Sequence, residues 1–273
     1  MENDLKQWSD RLRLETCLCL IHAKGGHIGG SMSIVETLAV LYGKQLRVDP
    51  QRPHWDERDW FILSKGHSGP AYFAALALRG FFDLKVLQTL NADDTILPSH
   101  PDSLKTPGVD CTTGSLGQGI SQAVGVALAL KHQHKPNRVY CIVGDGECNE
   151  GQVWEAFQSM VANHLDNLIV FIDNNKGQND GATKTIHLEL NFEPLMMGLG
   201  FYTQVVNGND VVAIDKAIDQ AKQRVNQPSV IILNTTKGQG LPFVEAMASN
   251  HHIAIDEDIK TKILNALGAK EPA

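Results

Sequence analysis

The chain has 273 residues, of which 42% are hydrophobic, and 31 acidic against 24 basic side chains give it a formal charge of -7. That length and apolar content can bury a large core, near the size at which single cores stop growing, so residues 1–273 are expected to form one domain. With an acidic excess and no long basic cluster, nucleic acid is not an expected partner. No apolar run reaches the ~20 residues that span a bilayer, and the N-terminal Met-Glu-Asn-Asp-Leu-Lys lacks the charged-then-apolar pattern of a leader. A cytoplasmic protein without a membrane partner is expected. Cys17, Cys19, Cys111, Cys141 and Cys148 form neither a Cys-x-x-Cys pair nor a disulfide framework, which fits free thiols in a reducing compartment.

Taken in chain order, Leu5, Trp8, Leu12, Leu14, Cys17, Leu18 and Ile21 recur at helical spacing over residues 4–23, and the pattern resumes over 31–43 with Ser31 as a candidate cap. Residues 60–64 predict a short apolar strand, 70–79 a helix, and 121–131 an Ala/Val/Leu helix opening at Gly119. Strands are predicted at 138–143, 167–172, 202–206 and 229–234, separated by helices near 150–164 and 211–225. This alternation predicts an α/β fold, a parallel sheet covered by helices on both faces. The helices of residues 1–60 and a tail over 256–273, frayed at its tip, would be extensions. No internal repeat or low-complexity tract is present.

The most telling stretch runs from 144 to 181. It opens Gly144-Asp145-Gly146 after one apolar run and continues Asn174-Asn175-Lys176-Gly177 after the next. Asp145 and Asn175 therefore fall just beyond neighbouring strand ends, where two oxygen ligands meet at one sheet edge. A hard dication such as Mg²⁺ takes oxygen ligands and is commonly held by one or two carboxylates plus substrate phosphates. Gly144 and Gly146 permit a tight turn and close backbone approach to a phosphate, and the helix starting near Glu150 aims its positive end at the same place. Other uses of these residues fail on spacing: a dinucleotide fingerprint would need glycine where Asn149 stands, a Gly-Lys-Ser/Thr phosphate loop is absent, and a calcium loop from Asp173 is broken by Gly177 and Gln178. The plain alternative is an acidic turn after a strand.

Gly144-Asp145-Gly146 followed by Asn175 about thirty residues later resembles the thiamine diphosphate motif, and the surrounding residues resemble transketolase. The supporting segments are Gly26-His27-Ile28-Gly29-Gly30, Leu63-Ser64-Lys65-Gly66-His67, His100-Pro101-Asp102 and Gly114-Ser115-Leu116-Gly117-Gln118-Gly119, and the resemblance extends from about Leu12 to His251. It implies thiamine diphosphate and Mg²⁺ as cofactors, and transfer of a two-carbon ketol unit from a ketose to an aldose. By resemblance, Asp145, Asn175 and the Gly177 carbonyl ligate the metal, and Gly144, Gly146 and His67 lie at the diphosphate. Gly114 and Leu116 pack on the aminopyrimidine ring, and Glu150 lies at a subunit contact that couples two active sites. His27, His67, His100 and His251 would line the channel to the reacting carbon and touch sugar hydroxyls. An imidazole with its reference pKa of about 6.5 suits proton movement there. The other histidines, among them His252, are expected to be surface or packing residues, although His252 is the rival of His251 because the family's histidine is usually followed by glycine. Ser115 stands where the family more often has proline.

In the family the acid that protonates the aminopyrimidine, the aromatic pocket around that ring and the arginines for a sugar phosphate lie on a second domain that this sequence does not carry. The resemblance thus implies a companion chain, a C-terminal transketolase subunit with the pyrimidine-binding domain and catalytic glutamate, most simply in an α2β2 assembly. Alone, this chain is expected to be inactive. The alpha chain of a 2-oxo acid dehydrogenase shares the Gly-Asp-Gly to Asn motif and is the alternative enzyme, disfavoured by the set His27, His67 and His100. A non-catalytic module binding the cofactor or a partner is the alternative outside catalysis.

Overall fold

Five apolar runs pair as one sheet in a computed structural model that describes residues 2–269. The elements in chain order are α1 (Glu2–His22), β1 (Gly25–Gly26), α2 (Ile28–Met32), α3 (Val35–Val40), β2 (Trp60–Leu63), α4 (Gly69–Arg79), α5 (Gln118–His132), β3 (Val139–Gly144), α6 (Gly151–Ala162), β4 (Leu168–Asn174), α7 (Thr183–Ile186), α8 (Phe192–Leu199), β5 (Tyr202–Asn207), α9 (Val211–Ala221), β6 (Ser229–Asn234), α10 (Pro242–Glu245), β7 (Ile253–Ala254) and α11 (Glu257–Ala266). The main sheet has the order β2-β3-β4-β6-β5, with every neighbouring pair parallel.

Successive strand side chains alternate between two cores, as the period of two requires. Tyr140 and Ile142 of β3 face the core that includes α1, α3, α4 and α9. Val139, Cys141 and Val143 face the one built with α5, α6 and α8. Helices cover both faces, and the expected α/β architecture is present. The near-continuous apolar strands follow from burial on both sides.

Three sequence expectations differ from the structure in detail. The helical pattern over 31–43 divides into α2, α3 and a π-helical turn at Leu41–Gln45. Ser31 is not a cap; it lies inside α2, and its hydroxyl donates to the His27 carbonyl (2.6 Å). Residues 257–266 form a helix capped by Asp256, with Ile263 and Leu264 buried, while the fraying expected of the tip concerns residues outside the described ones. No helix among the described residues is long and apolar enough to cross a membrane.

A second sheet, unanticipated by periodicity, is only two residues wide. β1 pairs antiparallel with β7, Gly25 opposite Ala254 and Gly26 opposite Ile253. Gly25 has a φ of +145°, and a Cβ there would stand 2.7 Å from the Ile253 carbonyl oxygen. This close pairing ties the segment bearing His27 to the one bearing His251 and His252.

Candidate active site

Parallel register brings the carboxyl ends of four strands to one edge, the place where open α/β sheets bind ligands. Leu63 lies beside Ile142, Gly144 beside Asp173, and Asp173 beside Leu233. The loops that follow carry Lys65 and His67, Asp145 and Glu147, Asn175 and Gly177, and Lys237. They enclose a cavity of about 220 Å³ whose lining also includes Leu116, Glu150, Gln178 and His251.

Asp145 is almost fully buried. Its Oδ1 accepts from the Gly146 amide (2.9 Å), and its Oδ2 accepts from the Lys176 amide (2.9 Å) and the Thr183 hydroxyl (3.1 Å). No described cationic side chain lies within ion-pair distance of it. Burial, and then the neighbouring Asp173 carboxylate, push its carboxyl up to about 6. Asn175 is oriented by Asp173: its Nδ2 donates to the Asp173 Oδ2 (2.6 Å), and its Oδ1 accepts from the Gly177 amide (3.0 Å). The Gly177 carbonyl accepts from no described residue.

Two buried carboxylates that sequence reasoning passed over organise these loops. Asp173, wholly buried, pairs with the equally buried Lys65 and accepts from Ser33 Oγ (2.7 Å) and Thr235 Oγ1 (2.5 Å). Burial pushes its carboxyl up, but Lys65 and these hydrogen bonds outweigh burial and hold it below its ordinary value. Glu147 accepts from Ser64 Oγ (2.6 Å) and from the amides of Gly117 (2.9 Å) and Gly144 (3.1 Å). It thus joins the start of α5 to the ends of β2 and β3. Both acids sit inside motifs visible in the sequence, but only their burial distinguishes them from ordinary turn acids.

Glycines let these loops approach closely, backbone to backbone at Gly66 and backbone to side chain at Gly114 and Gly146. A Cβ at Gly66 would fall 2.6 Å from the Gly114 nitrogen, one at Gly114 (φ +134°) 2.8 Å from His100 Cδ2, and one at Gly146 2.8 Å from Gln178 Cγ. At Gly144 the nearest contact is 3.8 Å, so a side chain would crowd Gln178 at Gly146 but meet nothing closely at Gly144. Leu116 reaches the cavity, whereas Gly114 supports His100. Glu150 is the N-cap residue of α6 rather than a first-turn residue, its side chain makes no capping hydrogen bond, and it is exposed at the cavity rim.

The four singled-out histidines converge. His27 has ring-centroid distances of 5.7 Å to His67, 5.7 Å to His100 and 5.1 Å to His251, and His67 lies 4.6 Å from His251. His252 also belongs to the group, 4.9 Å from His27. It was expected to be a surface or packing residue; adjacent residues in the loop leading into β7 put both rings beside His27. The ordinary imidazole pKa does not hold here. Burial, then His252, His100 and Lys237, lower His27 to about 4; burial, then Lys237, His27, Lys65 and His252, lower His251 to about 3. His67 is lowered well below its ordinary value by burial first and Lys65 second, and His100 by burial. At neutral pH these are neutral rings with one donor and one acceptor nitrogen each.

The lowered histidine pKa values also make stability depend on pH. A group whose pKa is depressed on folding stabilises fully above its unfolded value and loses that contribution as pH falls toward its folded value. For His27 the window runs from 6.5 down to about 4. Denaturant midpoints should therefore fall between pH 7 and pH 5, and by less in His27→Asn; an equal fall in the variant would remove His27 from the linkage.

The architecture agrees with known proteins. Residues 6–273 match the family described as transketolase, thiamine diphosphate binding domain. The chain belongs to that family. It is 48% identical over 234 residues to the 6-deoxy-6-sulfo-D-fructose transketolase subunit SqwG of Clostridium sp. (strain MSTE9), covering 86% of this chain and 85% of that one. It is 39% identical over 228 residues to an apulose-4-phosphate transketolase subunit of Actinobacillus succinogenes, covering 84% and 82%. The solved transketolase from Campylobacter jejuni superposes with a TM-score of 0.91 at 30% identity, over 98% of this chain but 43% of that chain. The chain therefore spans less than half the length of that enzyme.

The transketolase family implies a cofactor, and two observations test whether these residues suit it. The donor set of Asp145, Asn175 and a free backbone carbonyl consists of hard oxygens, which suits Mg²⁺. Among the described residues no cluster of three or more His, Cys, Asp or Glu side chains forms a site for a different metal. Asn149 Nδ2 and Gln178 Nε2, both on residues lining the cavity, are buried donors without a partner. Such orphans cost free energy unless an acceptor reaches them. The residues fit a metal-bound diphosphate.

Proposed function

We propose that this chain is the diphosphate-binding subunit of a two-chain, thiamine diphosphate-dependent transketolase that moves a two-carbon ketol unit from a ketose to an aldose. The observation that carries the reading is the convergence of His27, His67, His100 and His251 beside a cavity floored by Asp145 and Asn175. In it, Asp145, Asn175 and the Gly177 carbonyl hold Mg²⁺. Gly144, Gly146, Asn175 and His67 receive the diphosphate, with Leu116 against the ring system and Gly114 behind it.

Bound thiamine diphosphate supplies a nucleophilic carbon and an electron sink. The chain supplies orientation and proton management. Neutral imidazoles can both donate to and accept from the hydroxyls of an extended sugar, which a charged ring could not, and one that takes a hydroxyl proton can return it to the developing alkoxide. Their packing against one another limits the water that could compete. At about 220 Å³ the cavity is smaller than the roughly 300 to 1,000 Å³ of sites that enclose a whole small molecule. That supports a site completed by a companion chain, which brings the pyrimidine-binding domain and the catalytic glutamate. Glu150, exposed and without a partner at the rim, suits the subunit contact, and an α2β2 assembly is the simplest arrangement.

The relatives named for a sulfosugar and for apulose 4-phosphate favour a ketose with an anionic tail as donor. The test is to assay the chain together with its companion, with Mg²⁺ and thiamine diphosphate. Donors would be 6-deoxy-6-sulfofructose or fructose 6-phosphate, with glyceraldehyde 3-phosphate as acceptor. Ketol transfer is expected from the pair and none from the chain alone. Oxidative decarboxylation of pyruvate without ketol transfer would instead favour the 2-oxo acid dehydrogenase reading.

A further inference from the structure

His252 is the ring of the histidine cluster to which the reaction above gives no task. It is exposed, whereas His27, His67, His100 and His251 are part-buried. His67 and His251 line the diphosphate cavity, and His252 does not. Its ring meets His27 edge-on, with centroids 4.9 Å apart and planes at 90°. It therefore stands at the outer end of the cluster, on the solvent side of His27. None of the five rings makes a hydrogen bond to another described residue, so their nitrogens are left to solvent or to a ligand.

The backbone that carries this exposed ring is held on both sides. β1 and β7 pair with Gly26 opposite Ile253, and the same register, continued by one residue, sets His27 opposite His252. Beyond that pair the Gly29 amide donates to the Asn250 carbonyl (3.0 Å), and at the other end the Ile255 amide donates to the Lys24 carbonyl (3.1 Å). Glycine permits the close approach, because a Cβ on Gly29 would collide with the Asn250 carbonyl oxygen. Opposed residues of an antiparallel pair carry Cβ atoms about 4.5 to 5.5 Å apart. The meeting of His252 with His27 thus follows from the register and not from a loose loop.

We propose that His252 is a specificity-determining residue of the ketose site, whose ring nitrogens bond donor hydroxyls beyond the carbon-carbon bond that breaks. The inference rests on the function proposed above. The rings nearest the cofactor cavity are placed for the reacting carbons, so a sugar entering from solvent leaves its trailing carbons beside the outermost ring. The two imidazole nitrogens donate or accept according to the tautomer, and sugar hydroxyls do both. A contact with the trailing part adds binding without touching the reacting atoms, and so favours long ketoses over short donors.

The test compares kcat/KM for a long and a short donor in the assembled pair of chains, with Mg²⁺, thiamine diphosphate and glyceraldehyde 3-phosphate as acceptor. The long donor is 6-deoxy-6-sulfofructose or fructose 6-phosphate, whichever the wild-type pair uses faster. The short donor is hydroxypyruvate, which carries the same ketol unit with only a departing carboxylate beyond it. His252→Gly removes the ring, and His252→Phe keeps a ring against His27 but loses both nitrogens. In both variants the long-to-short ratio of kcat/KM should fall about threefold to tenfold, through KM rather than kcat. His67→Gln, at the cavity, should lower both donors together. Circular dichroism checks that the variants fold. An unchanged ratio in His252→Phe, or an equal fall for both donors, would overturn the assignment of His252 alone. No ketol transfer from either ketose by the wild-type pair would overturn the proposed function, and this inference with it.

Discussion

Asp145→Ala should sharply weaken Mg²⁺-dependent binding of thiamine diphosphate while leaving the chain folded. The carboxylate is buried, receives three neutral hydrogen bonds and has no cationic partner among the described residues, so it is an anion whose charge is met when a cation binds. Alanine removes the one charged ligand from a donor set otherwise made of an amide and a backbone carbonyl. Loss of an interaction with an ionised group costs about 1.5 to 3 kcal/mol, and the metal's remaining ligands are neutral, so affinity should fall by about tenfold to a hundredfold. Stability should change far less, because the same substitution removes a desolvated charge while forfeiting neutral hydrogen bonds to the loop of Lys176 and Thr183. The measurement is a pair of titrations, with Mg²⁺ and with chelator, alongside thermal unfolding of the ligand-free chain. Unchanged Mg²⁺ dependence would show that Asp145 is not the metal's charged ligand; a collapse of the fold would show that its hydrogen bonds matter more than its charge.

The strands of the main sheet were legible in the sequence because each is a continuous apolar run between polar turns, and Asp145 and Asn175 were legible because each follows such a run immediately. The four histidines were legible only as members of short motifs, since nothing in periodicity says that loops far apart in the chain meet. The approach of His251 to His27 rests on the pairing of β1 with β7, two-residue strands too short to have a pattern. The charge state of those rings was not legible either: a reference pKa belongs to a solvated group, and here burial and neighbouring cations set it. Lys65, Asp173 and Glu147 all stand within segments quoted for other reasons. Recognising Lys65 and Asp173 as a buried pair requires the distances, as does seeing that a Cβ has no room at Gly66 and has room at Gly144.

Lys65→Met should be the most destabilising single change at this site. Lys65 is 1% exposed and Asp173 is fully buried, and the ammonium also donates to the Gly30 carbonyl (3.1 Å). Removing one member of such a pair leaves an uncompensated charge in the interior, which costs about 3 to 5 kcal/mol. That is a large part of the roughly 5 to 15 kcal/mol typical of a folded domain. The sign of the second substitution separates charge from packing. Lys65→Met/Asp173→Asn removes the stranded carboxylate while keeping an oxygen to accept from Ser33 or Thr235, so the double variant should be more stable than Lys65→Met, by about 1 kcal/mol or more. The double variant should nonetheless bind cofactor poorly. Asp173 is what directs the Asn175 amide, since an anion opposite Nδ2 leaves Oδ1 as the atom available to a metal; an asparagine at 173 offers no such bias and lets the amide flip. Denaturant unfolding and titration with Mg²⁺ and thiamine diphosphate on the same three proteins should therefore rank them differently: stability recovers in the double variant while affinity does not. Recovery of both would mean that the buried pair serves the fold alone.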